Sequence, residues 1–283
     1  LELLPRVFRK NGYHTMHVGK WHNDGHPRDK GYDVTSCVIP SDNLNKGKKR
    51  GHNVRFQDGD TERAGHSTEV FTEAAIDAIH RAPDGKPWFL YLAYTAPHDP
   101  HHSPEPFGSM YDPQSIPIPP DYMPEHPFDN GDMMIRDELL ENWPRSPAVI
   151  RTYIARYYGM ISHLDWNIGR LLGDLRNSGE LENTIVGFTG DQGLAVGSHG
   201  LLGKENMYDH SIASPLIIAG PGVAAGGRSR SMSHHVDLLP TLCELTGIGT
   251  GASEGDGFSL VPVMRGGKKR VRDEVFCQFY SPE

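Results

Sequence analysis

Four short apolar runs alternate with longer amphipathic stretches along the chain. Residues 13–19 (YHTMHVG) follow the turn signal Asn11-Gly12, and residues 88–95 (WFLYLAYT) follow Pro87. Residues 184–190 (TIVGFTG) and 215–220 (PLIIAG) are similar, the last running into Pro221-Gly222. All four read as strands. The last three are nearly continuous apolar runs, the pattern expected of strands covered on both faces. Helical spacing takes over between them. It predicts a helix over 67–81, with Val70, Phe71, Ala74, Ala75, Ala78 and Ile79 on one face. A longer helix is predicted over 147–176, where Ser146-Pro147 reads as N-cap and first turn and Gly179 stands just past the end. A third, over 236–246, stops at Gly247, and residues 1–10 look like the end of another amphipathic helix.

Strands that alternate with helices predict an α/β fold, with a mostly parallel mixed sheet and helices on both faces. The 283 residues fit one large domain or two small ones; we expect a single catalytic domain over 1–283. Within it, residues 97–147 are rich in proline, histidine and acids and nearly aperiodic. That is too long for a plain connection, so a structured loop over a site is expected there. The basic run KGKKR at 46–50 reads as a solvated loop tip.

Bulk properties narrow the partners. A formal net charge of −8 argues against nucleic acid but leaves a small anion open, because a local cluster of cations can bind one. No apolar run approaches the ~20 residues of a membrane helix, so no membrane partner is expected. Residues 1–10 do not read as a signal peptide, and an opening on Leu1 reads as a fragment or processed product. Cys37, Cys243 and Cys277 form neither a disulfide framework nor a zinc set.

In an open α/β sheet, ligands bind beyond the carboxyl ends of the strands. Lys20 and His22 follow the first strand, and His98 follows the second. Asp191, Gln192, His199 and Lys204 follow the third. All three sets are expected on one edge. Two lysines and several histidines around one pocket repel each other unless an anion sits among them, and a tetrahedral oxyanion such as sulfate or phosphate fits. Asp191 and Gln192 offer hard oxygen donors, suited to Ca²⁺ or Mg²⁺ better than to zinc. Taken singly, each residue has a plainer reading: Lys20 as a solvated lysine, His22 and His98 as hydrogen-bonded loop histidines, Asp191 as a helix cap, His199 as a brace, His101 and His102 as solvated loop residues. Their joint occurrence after strands of one sheet favours the site.

These residues carry a resemblance to the formylglycine-dependent sulfatases of the alkaline-phosphatase superfamily. GYHTMHVGKWH resembles their glycine-lysine-tryptophan-histidine signature, PWFLYLAYTAPHDP the strand with a sulfate-contacting histidine, and FTGDQGLAVGSHGLLGKENMYDHS the metal-and-lysine segment. PLIIAGPG, HHVDLLPTLCELTGI and GFSLVPVMRG follow in the family's order. The resemblance implies that Lys20 contacts the sulfate and the nucleophile's oxygen, and that His22 is the base that helps collapse a covalent intermediate. His98 and Lys204 would bind sulfate oxygens, one of them donating a proton to the departing alcohol. Asp191 and Gln192 would bind Ca²⁺, preferred over Mg²⁺. The nucleophile would be a formylglycine made from a Cys/Ser-x-Pro-x-Arg motif.

Residues 1–283 contain no such motif. CVIPSD at Cys37 has the wrong spacing, lacks the arginine and lies downstream of the signature. The expectation is therefore a catalytic portion whose nucleophile and paired metal-binding aspartates lie upstream and whose smaller subdomain lies downstream, inactive by itself. Gln192 stands where Asn or His is commoner in the family, and Ala213 where many members carry Arg. Three alternatives stay open: a phosphomono- or phosphodiester hydrolase of the same superfamily, a non-catalytic anion-binding module, and a zinc site from His98, His101 and His102. The expected substrate is a small-molecule or saccharide sulfate ester, with a carbohydrate sulfate favoured over a steroid sulfate. A periplasmic or extracellular location is favoured by the resemblance alone.

Overall fold

The computed structural model describes residues 2–40, 52–58, 60–249, 255 and 257–279; the basic run at 46–50 lies outside them. The centre is a three-stranded parallel sheet in the order β2-β1-β5, built from β1 (His14–Trp21), β2 (Val34–Pro40) and β5 (Trp88–Ala93). Side chains alternate across its faces. Met16 and Val18 of β1 point to one face and are fully buried. There they meet α2 (Ser67–His80), which buries Val70, Phe71, Ala74 and Ala75 against Val18, Cys37 and Ile39. The 31-residue α3 (Pro147–Asn177) extends this layer, with Leu175 packing beside Met16, Ala78 and Ile79. On the opposite face, Phe8 of α1 (Leu4–Lys10) stacks on Phe89 at 4.8 Å. A single turn, α4 (Asp209–Ile212), precedes α5 (Leu238–Leu245), whose Cys243 shares a cluster with Phe8. Helices therefore cover both faces, as the alternating pattern predicts.

Helix starts follow the capping rules. Ser146 accepts from Val149 N at 3.3 Å and Pro147 fills the first turn of α3. The His66 ring plays the same part for α2, accepting from Thr68 N at 3.3 Å. The third expected helix is shorter than its pattern: α5 begins at Leu238, and a 3-10 turn over His235–Asp237 precedes it.

Three strands have no counterpart in the apolar-run reading. β2 mixes threonine and serine with its apolar residues. β3 (Asn53–Asp58) and β4 (Thr61–His66) form an antiparallel hairpin of mostly polar residues. The two remaining strands depart from expectation in a different way. β6 (Val186–Thr189) and β7 (Leu216–Ala219) pair antiparallel with each other, apart from the three-stranded sheet. They are not covered on both faces. Ile217 is 59% exposed and Phe188 36%, and in β5 Tyr91 is 48% exposed. A short apolar run marks extended backbone but cannot say how many layers lie over it.

Residues 97–147 are an ordered surface segment of short 3-10 turns, among them Phe107–Ser109, Pro113–Ser115 and Glu138–Leu140. Its Tyr122 makes an isolated antiparallel bridge with Ser198, which joins it to the segment after β6. Gly200 sits against this junction with φ +75°, and a Cβ there would come within 2.3 Å of the Glu125 carbonyl carbon, so only glycine permits the approach. Arg145, fully buried, completes the seam. Its Nη1 donates to Gly200 O at 2.8 Å and pairs with Glu138 Oε2 at 2.9 Å. Glu138 in turn accepts from Leu202 N and Gly203 N.

Candidate active site

Lys20 owes its position to a break in β1. The register with β2 shifts between Val18 and Lys20, and Gly19 takes φ +101°. A Cβ at Gly19 would lie 2.2 Å from Ala93 O, so the close approach of β1 to β5 requires glycine there. Past this bulge Lys20 stays in the strand, opposite Ile39 of β2, and is half-buried, while His22 lies just beyond the strand and is exposed. β5 ends at Ala93, and the turn after it delivers His98, whose N donates to Thr95 O at 2.9 Å. His98 Nδ1 lies 3.0 Å from both Asp99 O and Asp99 Oδ1. β6 ends in Thr189 and delivers Asp191 and Gln192. Asp191 accepts from the Gln192 backbone N at 3.1 Å, and no helix follows it, so it is not a helix cap.

The groups share one electrostatic neighbourhood. Burial pushes the Lys20 ammonium below its ordinary pKa. Asp191 and Asp99 oppose that shift, while Lys204 and Arg136 add to it. Burial also lowers His22, aided by Lys20, His98 and Lys204 and opposed by Asp191. Lys20, His22, His98, Asp191 and Lys204 therefore converge, although they come from three separate strand ends. Lys204 also lines a cleft of about 460 Å³ with Asp191 and Gln192.

Three further charged residues join this set and were not anticipated. Asp99 takes both arms of the Arg136 guanidinium, at 3.2 and 2.9 Å. Arg136 also pairs with Asp137, and Asp137 accepts from Lys204 Nζ at 2.6 Å. Burial by itself would raise the Asp99 carboxyl. The His98 hydrogen bond and the charges of His98, Arg136 and Lys204 outweigh it and hold Asp99 at about 2. Asp137 is likewise lowered: burial raises it, but Lys204 and Arg136 prevail. No periodic signal marks these residues. Asp99, next to His98, was the only one within reach of a motif.

The expected histidine roles divide. His101 is not a solvated loop residue: its ring packs against Tyr153 and Tyr157 at 4.6 and 5.1 Å, and burial pushes it down to about 4. His102 is exposed. Among the described residues, His98, His101 and His102 do not come together as a metal-binding group, so the zinc alternative lacks a site. Cys37 lies buried in the sheet core, and burial raises its thiol to about 11. It is shielded and protonated, unfit as a nucleophile.

The divalent metal that the resemblance implies finds a fitting but partial donor set. The carboxylate of Asp191 and the amide of Gln192 are exposed oxygen donors beside Lys204. Two such groups fall short of the six to eight oxygens that Ca²⁺ prefers, so they fit as part of its shell.

Comparison with known proteins identifies the family. The Sulfatase family model matches residues 1–248. The multifunctional alkaline phosphatase superfamily protein PehA of Trinickia caryophylli is 34% identical over 225 residues, covering 74% of this chain and 43% of its own length. An N-acetylglucosamine-6-O-sulfatase of Bacteroides thetaiotaomicron is 27% identical, covering 99% of this chain and 60% of its own. A solved structure in complex with its substrate D-glucosamine-2-N,6-O-disulfate superposes with a TM-score of 0.75 at 25% identity, covering 93% of this chain and 64% of that one. A phosphonate monoester hydrolase from Silicibacter pomeroyi superposes with a TM-score of 0.67 at 25% identity, over 93% of this chain and 61% of that one. The chain thus spans about half the length of the curated relatives it matches.

Proposed function

Because the chain belongs to the sulfatase family, we propose that it carries much of the catalytic site of a sulfuric ester hydrolase that releases sulfate from a saccharide sulfate ester. One observation carries the reading. Lys20, His22 and Lys204 crowd together strongly enough for burial and mutual repulsion to depress Lys20 and His22. A dianionic or monoanionic tetrahedral group among them relieves that repulsion. The relatives named for N-acetylglucosamine 6-sulfate esters support a sugar as the esterified alcohol.

Each residue then takes a definite part. Lys20, Lys204 and His98 hold the sulfate oxygens. Asp99 fixes the His98 ring through Nδ1, which turns the other ring nitrogen toward the ester. Asp137 holds Lys204 by its ammonium, so that cation meets the substrate already oriented. His22, depressed by burial, is neutral at neutral pH and ready to accept a proton. His98 or Lys204 gives a proton to the leaving alcohol. Ca²⁺ held by Asp191 and Gln192 would draw charge from the sulfate oxygens. A formylglycine would supply the attacking oxygen; the residues named here bind, orient and move protons. Residues 97–147 are assigned to the substrate side of this site, where Asp99, Arg136 and Asp137 lie.

Hydrolysis of phosphonate or phosphate esters is the second reading, favoured specifically by the PehA relative and the phosphonate hydrolase neighbour. Both chemistries ask for the same tetrahedral cradle. Parallel kinetics of the intact protein on an aryl sulfate, an aryl phosphate and a phosphonate monoester separate them. The sulfate reading expects the highest kcat/KM on the aryl sulfate and further gain on 6-sulfated glucosamine. A preference for the phosphonate would overturn it.

A further inference from the structure

Asp121, His199 and His210 take no part in the site described above, yet they converge. One carboxylate oxygen and two imidazole nitrogens lie within 4.8 Å of one another, and among the described residues this is the only such group of three. His199 Nε2 stands 3.1 Å from Asp121 Oδ2. His210 Nε2 is shut off from solvent and has no hydrogen-bond partner. A buried polar atom left unpaired is costly and calls for an occupant.

The surroundings hold the three groups in place. His199 N donates to Asp121 O at 2.9 Å, next to the Tyr122–Ser198 bridge, so the two backbones cannot slide apart. His126 Nδ1 donates to His199 O at 2.6 Å. The Tyr208 ring stacks on His199 at 4.1 Å and on His210 at 5.5 Å. His199 keeps φ +54°, a conformation that residues with a Cβ rarely adopt. The imidazole is thus held at Asp121 by a backbone that would relax elsewhere.

We propose that Asp121, His199 and His210 form a zinc site. Two imidazole nitrogens and one carboxylate oxygen are a borderline donor set, suited to Zn²⁺ in a tetrahedron whose fourth position is open to water. In a tetrahedron with bonds of ~2.0–2.1 Å, neighbouring donors stand about 3.3 Å apart. The Asp121–His199 pair already has nearly that spacing, and His210 needs only a side-chain adjustment to complete it. Asp121 belongs to the 97–147 segment, and both histidines belong to the segment that carries Lys204. A bound ion ties the two together beside the Arg145–Glu138 seam. Its two imidazoles distinguish it from the oxygen donors Asp191 and Gln192, which suit a harder cation.

The test uses intact protein stripped of metal by chelation and resupplied with Ca²⁺. Zn²⁺ is then titrated calorimetrically, and Co²⁺ by its visible absorption. The expected result is one equivalent of bound Zn²⁺, intense tetrahedral Co²⁺ bands, and a thermal midpoint raised by Zn²⁺. Asp121→Asn and His210→Gln each weaken Zn²⁺ binding by about tenfold or more and abolish the midpoint shift, while Asp191→Asn leaves both intact. If His210→Gln fails to fold, the half-exposed Asp121→Asn gives the same readout. Equal Zn²⁺ binding by wild type and Asp121→Asn overturns the proposal, as does an absence of stoichiometric Zn²⁺. Ester hydrolysis is not the readout, so this result and the assignment of function stand or fall separately.

Discussion

Strands β5 and β6 look alike as sequence and differ as structure. Each is a short apolar run that ends in a threonine or alanine and then delivers site residues, His98 from β5 and Asp191 from β6. β5 is hydrogen-bonded to β1, with Leu90 and Leu92 packed against the core under α2. β6 pairs only with β7 among the described residues, and its Phe188 and Thr189 are exposed. One half of the site therefore stands on a packed sheet and the other on an open two-stranded ribbon. Lys20 and His98 come from the packed half, and the metal-binding candidates Asp191 and Gln192 come from the ribbon. Electrostatic position and mechanical support are distributed differently across one cleft.

Four measurements break or sharpen that contrast. The largest effect is expected at the packed half. Lys20→Ala should lower kcat/KM on an aryl sulfate by about 10²–10⁴-fold, with little change in thermal midpoint, because the lysine is only half-buried and belongs to no core cluster of the sheet. A loss below about threefold would remove Lys20 from the site. Next comes the floor of the sheet. Met16 is fully buried between α2 and α3, so Met16→Ala should cost about 2–5 kcal/mol in urea unfolding.

Acid should also act on the packed half first. Burial depresses His52 and His66 to about 4, below the ordinary histidine value of about 6.5. The unfolded chain thus binds protons before the native one does. Their contribution is complete above pH ~6.5 and is lost as pH falls toward 4, on the order of 3 kcal/mol for each histidine. Hydrogen exchange compared at pH 7 and pH 5 should show lost protection in β5 and α2. Unchanged protection there would mean that these histidines are not neutral in the folded protein. The smallest effect is expected on the ribbon: Ile217→Ser, at a 59% exposed position, should shift stability by no more than about 0.5 kcal/mol.

Much of the central layer could be read from residue spacing. The apolar faces of α2 and α3 repeat at helical intervals, and their caps sit where Ser146, Pro147 and Gly179 announce them. The β3–β4 hairpin could not be read the same way, because its alternation is carried by Val54, Phe56 and Ala64 among charged neighbours. Lys20, His22, His98, Asp191, Gln192 and Lys204 could be singled out because each trails a strand. Arg136 and Asp137 trail nothing. They reach the site through the fold of a 50-residue aperiodic segment, and only tertiary contacts decide where that segment returns. His199 and His210 come well after the end of β6 at Thr189 and are marked by no periodic signal, and their meeting with Asp121 depends on the same return.

The short turn at Asp137 and Glu138 has a consequence for any attempt to change what this protein accepts. Its first acid grasps the Lys204 side chain, and its second holds the backbone at Leu202 and Gly203. The substrate-side segment and the Lys204 cation therefore share two adjacent handles. A graft that replaces residues 136–145 would therefore also move the ammonium group.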